Sequence, residues 1–310
     1  MKIMHITDIH GDLETLEKTV DYAREDESIK VLACTGDYLG IFLKDNESDI
    51  MFSSYNMIKS QVRTKDGGQV PFKDAIEYVL SSTNTNRDLK IAGEVYSSIE
   101  KLFDEKATEQ YSLVNKILTQ SKKAIVMVHG NWDSPQYFDH FTANNIHGRT
   151  LEIEGVKFAG YGGENTEPIF VPPTRFIGLD EKGLHDFLIR EDADVVLTHV
   201  PPKGLVDIVP IRKDKNLHIG SWASLAYLRA QSPNVIFCGH AHDAIGLMKD
   251  DYAPTLVINS GNLGRYPQTK HHGTFSINEL NDKKYLKTHS LFKLYEGKFE
   301  LIKQINLDDN

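Results

Sequence analysis

Seven residues of this chain carry side chains suited to holding metal ions. They sit in five short blocks: Asp8-Ile9-His10, Gly36-Asp37, Gly130-Asn131-Trp132-Asp133, Thr198-His199 and Gly239-His240-Ala241-His242. The set is two Asp (Asp8, Asp37), one Asn (Asn131) and four His (His10, His199, His240, His242). Mixed oxygen and nitrogen ligation suits Mn²⁺, Fe or Zn²⁺, with no thiolate to favour a softer ion. Seven protein ligands are too many for one ion, but one bridging carboxylate would give each of two ions about four. Two divalent ions ~3.5–4 Å apart clamp a phosphate and supply a hydroxide nucleophile. Residues i and i+2 of an extended segment point to one side. On that rule Asp8/His10 and His240/His242 each aim two groups into a single cavity.

The elements that position these blocks are legible as apolar runs. Lys2–Thr7, Ile29–Thr35, Ala124–Val128, Asp194–Thr198 and Val235–Cys238 read as strands, and each leads into a block. Functional groups of open α/β sheets gather beyond the carboxyl ends of their strands. Between the first two strands, Asp12–Glu25 has helical spacing at Leu13, Leu16 and Val20, which makes the opening strand, helix, strand. Leu151–Ala159 reads as a hairpin turning at Glu154-Gly155. Leu179–Arg190 and Gly220–Gln231 read as helices, Thr255–Ile258 as a strand, and Gly273–Leu307 as antiparallel strands around Glu296-Gly297. Residues 41–123 break the pattern. Helical spacing at Ala75–Leu80, Val95–Phe103 and Tyr111–Leu118 makes this stretch a mostly helical insertion within one domain over 1–310. It serves either as a cap over the site or as solvated decoration.

The chain has 310 residues, 40% hydrophobic and 25% charged, which fits a globular protein with a core of its own. The formal net charge of −9 gives no general attraction for nucleic acid or anionic membrane. Cys34 and Cys238 lie in strand-like runs and read as small buried residues. No apolar run approaches ~18 residues and the N-terminus is too polar for a signal peptide, so the expected location is the cytoplasm. The remaining histidines, His5, His140, His147, His185, His271, His272 and His289, read as structural or surface residues.

The five blocks, in this order, resemble the calcineurin-like metallophosphoesterases. Thr198-His199-Val200-Pro201-Pro202, His218-Ile219-Gly220-Ser221, Asn259-Ser260-Gly261 and Gly264-Arg265-Tyr266 are similar to the stand-alone, Icc-like branch of that family. The resemblance implies an α/β fold of four layers, two mixed β-sheets packed together with helices outside. It implies that Asp8, His10 and His242 hold one metal, that Asn131, His199 and His240 hold the other, and that Asp37 bridges them with a hydroxide. The implied activity is a dinuclear metal-dependent phosphoesterase.

The sequence departs from the family at Trp132, where the commonest pattern has a His that protonates the leaving group. Indole does not titrate near neutral pH and is no general acid. The expected activity is therefore a phosphodiesterase, or an enzyme for substrates with good leaving groups. Trp132 either stacks on a base or aryl group or fills a wall. Asp133, the usual partner of the missing His, is expected to orient His10 or a metal-bound water. His129 and His218 are substitute acids, with His129 read as a satisfied core residue. Arg265 is a candidate phosphate contact through a bidentate fork. The expected partner is a small phosphoester, nucleotides included. The alternatives are a non-catalytic scaffold of the same fold and a nuclease, the latter disfavoured by the lack of a basic run.

Overall fold

Strands buried on both faces are predominantly apolar, and the runs Ala124–Met127 and Val235–Cys238 are apolar throughout. The computed structural model describes residues 1–81, 83–164, 170–212, 215–265 and 272–307. Tyr266 and His271 lie outside these residues, and so does the side chain of His140. Two compact units make up the chain: Met1–Gly40 with Tyr111–Thr166 and Ile177–Asn310, and Ile41–Gln110 with Glu167–Phe176.

In the first unit, seven strands form one sheet: β1 (Lys2–Ile6), β2 (Ile29–Cys34), β3 (Ala124–Met127), β4 (Asn144–Asn145), and later in the chain β13 (Thr274–Leu280), β14 (Leu286–Tyr295) and β15 (Lys298–Asn306). Six form the second: β5 (Arg149–Ile153), β6 (Val156–Tyr161), β7 (Val195–Thr198), β10 (Val235–Cys238), β11 (Gly246–Lys249) and β12 (Leu256–Asn259). A separate hairpin joins β8 (Ile208–Arg212) to β9 (Lys215–His218). The sheet orders are β15-β14-β13-β1-β2-β3-β4 and β11-β12-β10-β7-β6-β5. Pairing is parallel through β1-β2-β3-β4 and through β6-β7-β10-β12, and antiparallel towards the other edges. Both sheets are mixed.

Ile3, Val31 and Val126 of the first sheet meet Phe158, Val195 and Phe237 of the second in one buried cluster. Phe158 and Phe237 are fully buried, each burial worth about 1.5–3 kcal/mol. Helix α1 (Leu13–Glu25) carries Leu16, Val20 and Ala23 on one buried face, and its Tyr22 packs on Phe275, Phe292 and Phe299. Its N-cap is Asp12, whose carboxylate accepts from Thr15 N at 3.0 Å. Helices α5 (Glu181–Leu188) and α6 (Trp222–Gln231) bury Leu184, Leu188, Leu225 and Leu228 with Val196, Ile236 and Val257 of the second sheet. The layers are helix, sheet, sheet, helix, as the sequence resemblance implied.

The second unit is helical: α2 (Asp45–Gln61), α3 (Phe72–Leu80) and the first part of α4 (Arg87–Thr119). Met51, Ile58, Ala75, Val79, Leu89 and Tyr96 form its core. Arg175 grips Asp104 at 2.8 and 2.7 Å and reaches Glu100 at 3.1 Å. The spacing predicts separate helices at Val95–Phe103 and Tyr111–Leu118, but α4 is continuous. The residues between contain no Gly or Pro and are mostly good helix formers. Helix α2 left little apolar signal because two serines, Ser48 and Ser54, share its buried face with Met51 and Ile58. The sequence reading set the insertion at 41–123, whereas this unit ends its first segment at Gln110 and takes in Glu167–Phe176. Among the described residues no helix is long and apolar enough to cross a membrane.

Candidate metal centre

The blocks lie at the carboxyl ends of parallel strands, β1, β2 and β3 in one sheet and β7 and β10 in the other. The i, i+2 rule for extended backbone is not what aims them. Asp8, His10, Asp37 and His240 have φ of 54°, 45°, 56° and 63°. Each sits in the left-handed region, which costs a non-glycine residue of order 1–3 kcal/mol. Backbone hydrogen bonds hold the conformation: Asp8 N to Gly36 O at 3.0 Å, His10 N to Asp37 O at 2.9 Å, and Gly264 N to Asp8 O at 3.0 Å. The chain turns sharply after β1, β2 and β10, and the turn points the ligand inward. Two glycines make room. A Cβ on Gly130 would lie 2.0 Å from Asp37 Oδ1, and one on Gly239 would lie 1.9 Å from Thr7 Oγ1.

Two clusters result, with ligand atoms within 4.8 Å of one another: Asp8, His10, Asp37 and His242, and Asp37, His199 and His240. Asp37 belongs to both. His10 Nε2 lies 3.1 Å from His242 Nε2, and His242 Nε2 lies 2.9 Å from Asp8 Oδ1. His199 Nδ1 faces the carbonyl of Thr35 at 2.7 Å. A carbonyl only accepts, so Nδ1 carries the proton and Nε2 keeps its lone pair. That lone pair faces Asp37 Oδ2 at 3.5 Å and Asn131 Oδ1 at 3.1 Å. Electron-rich atoms converge on one space with too few protons to share, which is the donor chemistry of a cation site.

The electrostatics follow the same pattern. Burial alone would raise Asp8, but His242 at hydrogen-bond distance outweighs it and holds Asp8 well below the usual range. Burial opposes charge on His242, yet the Asp8 carboxylate prevails and raises it. Burial, then the neighbouring His242, pushes His10 down to about 3. Burial takes His240 to about 4. Burial, then Asp8 and Asp133, raises Asp37 well above its ordinary value. In metal-free protein the His242 proton offsets buried negative charge, and it must leave before a metal takes Nε2. Divalent-metal affinity is expected to be higher at about pH 8 than at about pH 6. Equal affinities in calorimetric titrations at the two pH values would contradict this.

Asp133 is fully buried. Its Oδ2 accepts from Asp37 N at 2.7 Å and Gly130 N at 2.8 Å, and its Oδ1 from Tyr38 N at 2.9 Å and the Tyr111 hydroxyl at 3.2 Å. It ties together the loops that carry Asp37 and Asn131, a role beside the two the sequence predicts, orienting His10 or a metal-bound water. Trp132 is 8% exposed, its ring edge-on to His10 at 5.1 Å, and its backbone N–H donates to Asp37 Oδ1 at 2.9 Å. His129 is buried, but among the described residues neither ring nitrogen has a hydrogen-bond partner, so it is a core residue without being satisfied there. His218 Nδ1 lies 2.7 Å from buried Asp207, with the ring half-exposed. Arg265 leans on Asp12 at 3.7 Å and is exposed.

His5 and His289 join a buried chain through Thr35, Ser260, Ser276 and Asn278, and His147 accepts from Gly162 N. His185 on α5 and His272 are both partly buried. Asn259 donates to the Ala241 carbonyl at 2.9 Å and so steadies the His240–His242 turn. Sequence reasoning missed Tyr111, Asp207 and Glu164. Glu164 Oε2 lies 3.3 Å from His240 Nε2. Its only signal was the Gly162-Gly163 pair after a strand, the same strand–glycine pattern that marks the ligand blocks.

Residues 1–64 and 65–244 match the model of a family described as calcineurin-like phosphoesterase. An uncharacterized protein of Methanocaldococcus jannaschii, MJ1162, is 28% identical over 144 residues, which are 44% of this chain and 62% of that protein. This chain thus spans somewhat less than two thirds of that relative. The crystal structure of TT1561 of Thermus thermophilus superposes with a TM-score of 0.50 at 16% identity, covering 97% of both chains. A further crystal structure superposes with a TM-score of 0.57 at 16% identity, over 97% of this chain and 99% of that one. These two likenesses are of fold.

Proposed function

This chain belongs to the calcineurin-like phosphoesterase family, and from that membership we propose that it is a dinuclear metal-dependent phosphodiesterase. The observation that carries the proposal is the pair of donor clusters sharing Asp37. Asp8, His10 and His242 would hold one ion and Asn131, His199 and His240 the other, with Asp37 between them. Two divalent ions, when bound, polarise the phosphoryl oxygens and lower the pKa of a water. The protein's part is to fix the ligands. Thr35 sets the His199 tautomer, Asp133 holds the backbone of Asp37, and Trp132 walls the site beside His10.

Substrate preference rests on Trp132. A positioned general acid contributes about 10²–10⁴-fold, most where the leaving group is poor. With indole in that place, alkyl monoesters lose this help, while diesters with good leaving groups need it least. The half-exposed His218 and the exposed Arg265, each beside a carboxylate, are proposed to meet the substrate's outer part. The substrate is a small phosphoester, a nucleotide among the candidates, and the acidic surface weighs against long polyanions.

The test compares an aryl phosphodiester with an aryl phosphomonoester in Mn²⁺. The diester is expected to show the higher kcat/KM. A strong monoester preference would overturn the argument from Trp132, and no turnover of either by folded, metal-loaded protein would overturn the phosphoesterase reading.

A further inference from the structure

We propose that Glu164 is a positioning residue for His240, holding its imidazole so that Nδ1, and not Nε2, faces the metal centre. The proposal rests on the dinuclear reading above and adds to it a residue outside the ligand blocks.

Glu164 follows β6, which lies beside β7 in the second sheet, so it emerges at the same end as His199 and His240. The approach depends on glycine. A Cβ on Gly162 would lie 2.4 Å from the His129 carbonyl oxygen, and Gly163 has φ of 101°. Gly163 N donates to that same carbonyl at 2.9 Å. The next residue is a carboxylate, 6% exposed, with Oε2 at 3.3 Å from His240 Nε2. Buried carboxylates persist where a donor or cation faces them.

A carboxylate oxygen facing Nε2 at 3.3 Å favours the tautomer with its proton on that nitrogen. The lone pair of the neutral ring is then on Nδ1. His240 shares ion-sized spacing with Asp37 and His199, and Glu164 is not a member of that group. Glu164 therefore acts on the ring from outside the ligand set. The remaining freedom of His240 is small: its backbone N–H donates to Asp8 Oδ2 at 3.1 Å, and its ring stands edge-on to His199 at 5.1 Å. The Thr35 carbonyl fixes His199 through Nδ1 and leaves Nε2 for metal. Glu164 does the same for His240 at the opposite nitrogen. Partners of this kind typically contribute 10–100-fold to metal affinity.

The test uses the whole chain with ¹⁵N-labelled histidine, loaded with ¹¹³Cd²⁺, and the His240 signals assigned against His240→Asn. Cadmium coupling to Nδ1 of His240, with the proton on Nε2, is expected. Calorimetric metal titration of Glu164→Ala should show one of two ions bound about 10–100-fold more weakly and the other unchanged. Glu164→Gln, whose amide oxygen still accepts, should keep most of the affinity and serves where the alanine variant is poorly folded. Cadmium coupling to Nε2, or wild-type affinity for both ions in Glu164→Ala, would overturn the proposal. A wild type binding fewer than two ions would overturn the dinuclear reading itself, so the two failures are told apart by the wild-type titration.

Discussion

Asp37→Asn is expected to reduce metal-dependent phosphoester hydrolysis by at least the roughly 10²–10³-fold that follows loss of one preorganised transition-state contact. It should also empty the site of metal. Asp37 is the one residue in both donor clusters, so its loss removes a ligand from each. The amide keeps the shape, because its oxygen can still accept from Trp132 N, which donates to Asp37 Oδ1 in the wild type. Stability of the metal-free protein should move the other way. Burial and the Asp8 and Asp133 carboxylates raise Asp37 well above its ordinary pKa. A carboxyl raised on folding favours the fold below its unfolded pKa and loses that contribution as pH rises through the folded value. At neutral pH, above the unfolded value, burying this carboxyl is a cost, which the neutral amide removes. Denaturation in chelator should show Asp37→Asn at least as stable as wild type, and only wild type should gain stability from Mn²⁺. A variant that keeps wild-type turnover, or a metal-free variant that is clearly less stable, would contradict this account.

Asp133→Asn is expected to be the most destabilising conservative change near the centre. Four donors converge on this carboxylate: three backbone N–H groups and the Tyr111 hydroxyl. An amide turns one acceptor oxygen into an NH₂ donor, and either orientation sets it against a backbone N–H. Each buried group left unsatisfied costs about 1–3 kcal/mol. The loss is therefore of order several kcal/mol. Because Asp133 holds the backbone of Asp37 and Gly130, activity should also fall, and a displacement near 1 Å is enough for about 10²-fold. Tyr111→Phe removes only the 3.2 Å contact on Asp133 and the donor's second role, accepting from Ser134 N at 2.7 Å, and should cost less. If thermal denaturation places Asp133→Asn within experimental error of wild type, Asp133 is not holding these loops.

The donor set was legible because the ligand types recur immediately after apolar runs, and the runs are long enough to be strands. Asp8, Asp37, His199 and His240 all follow β-strands that the sequence marked within a residue or two. The geometry that aims them was not legible. Alternation along an extended chain was the available rule, but Asp8, His10, Asp37 and His240 are left-handed. That conformation is imposed by neighbouring loops and not by the residues themselves. Asp133 was visible, but its orientation depends on where Tyr38, Gly130 and Tyr111 arrive in space. Glu164 lay far along the chain from His240, marked by nothing but the Gly162-Gly163 pair after a strand. Helix α2 was hidden by serines on its inner face.

We propose that this chain holds two ions across Asp37. Anomalous diffraction from wild-type crystals grown in Mn²⁺ measures it directly. Two peaks are predicted, one touching Asp8, His10 and His242, the other touching Asn131, His199 and His240, with Asp37 between them. A single peak, or no peak on these residues at saturating Mn²⁺, would contradict it.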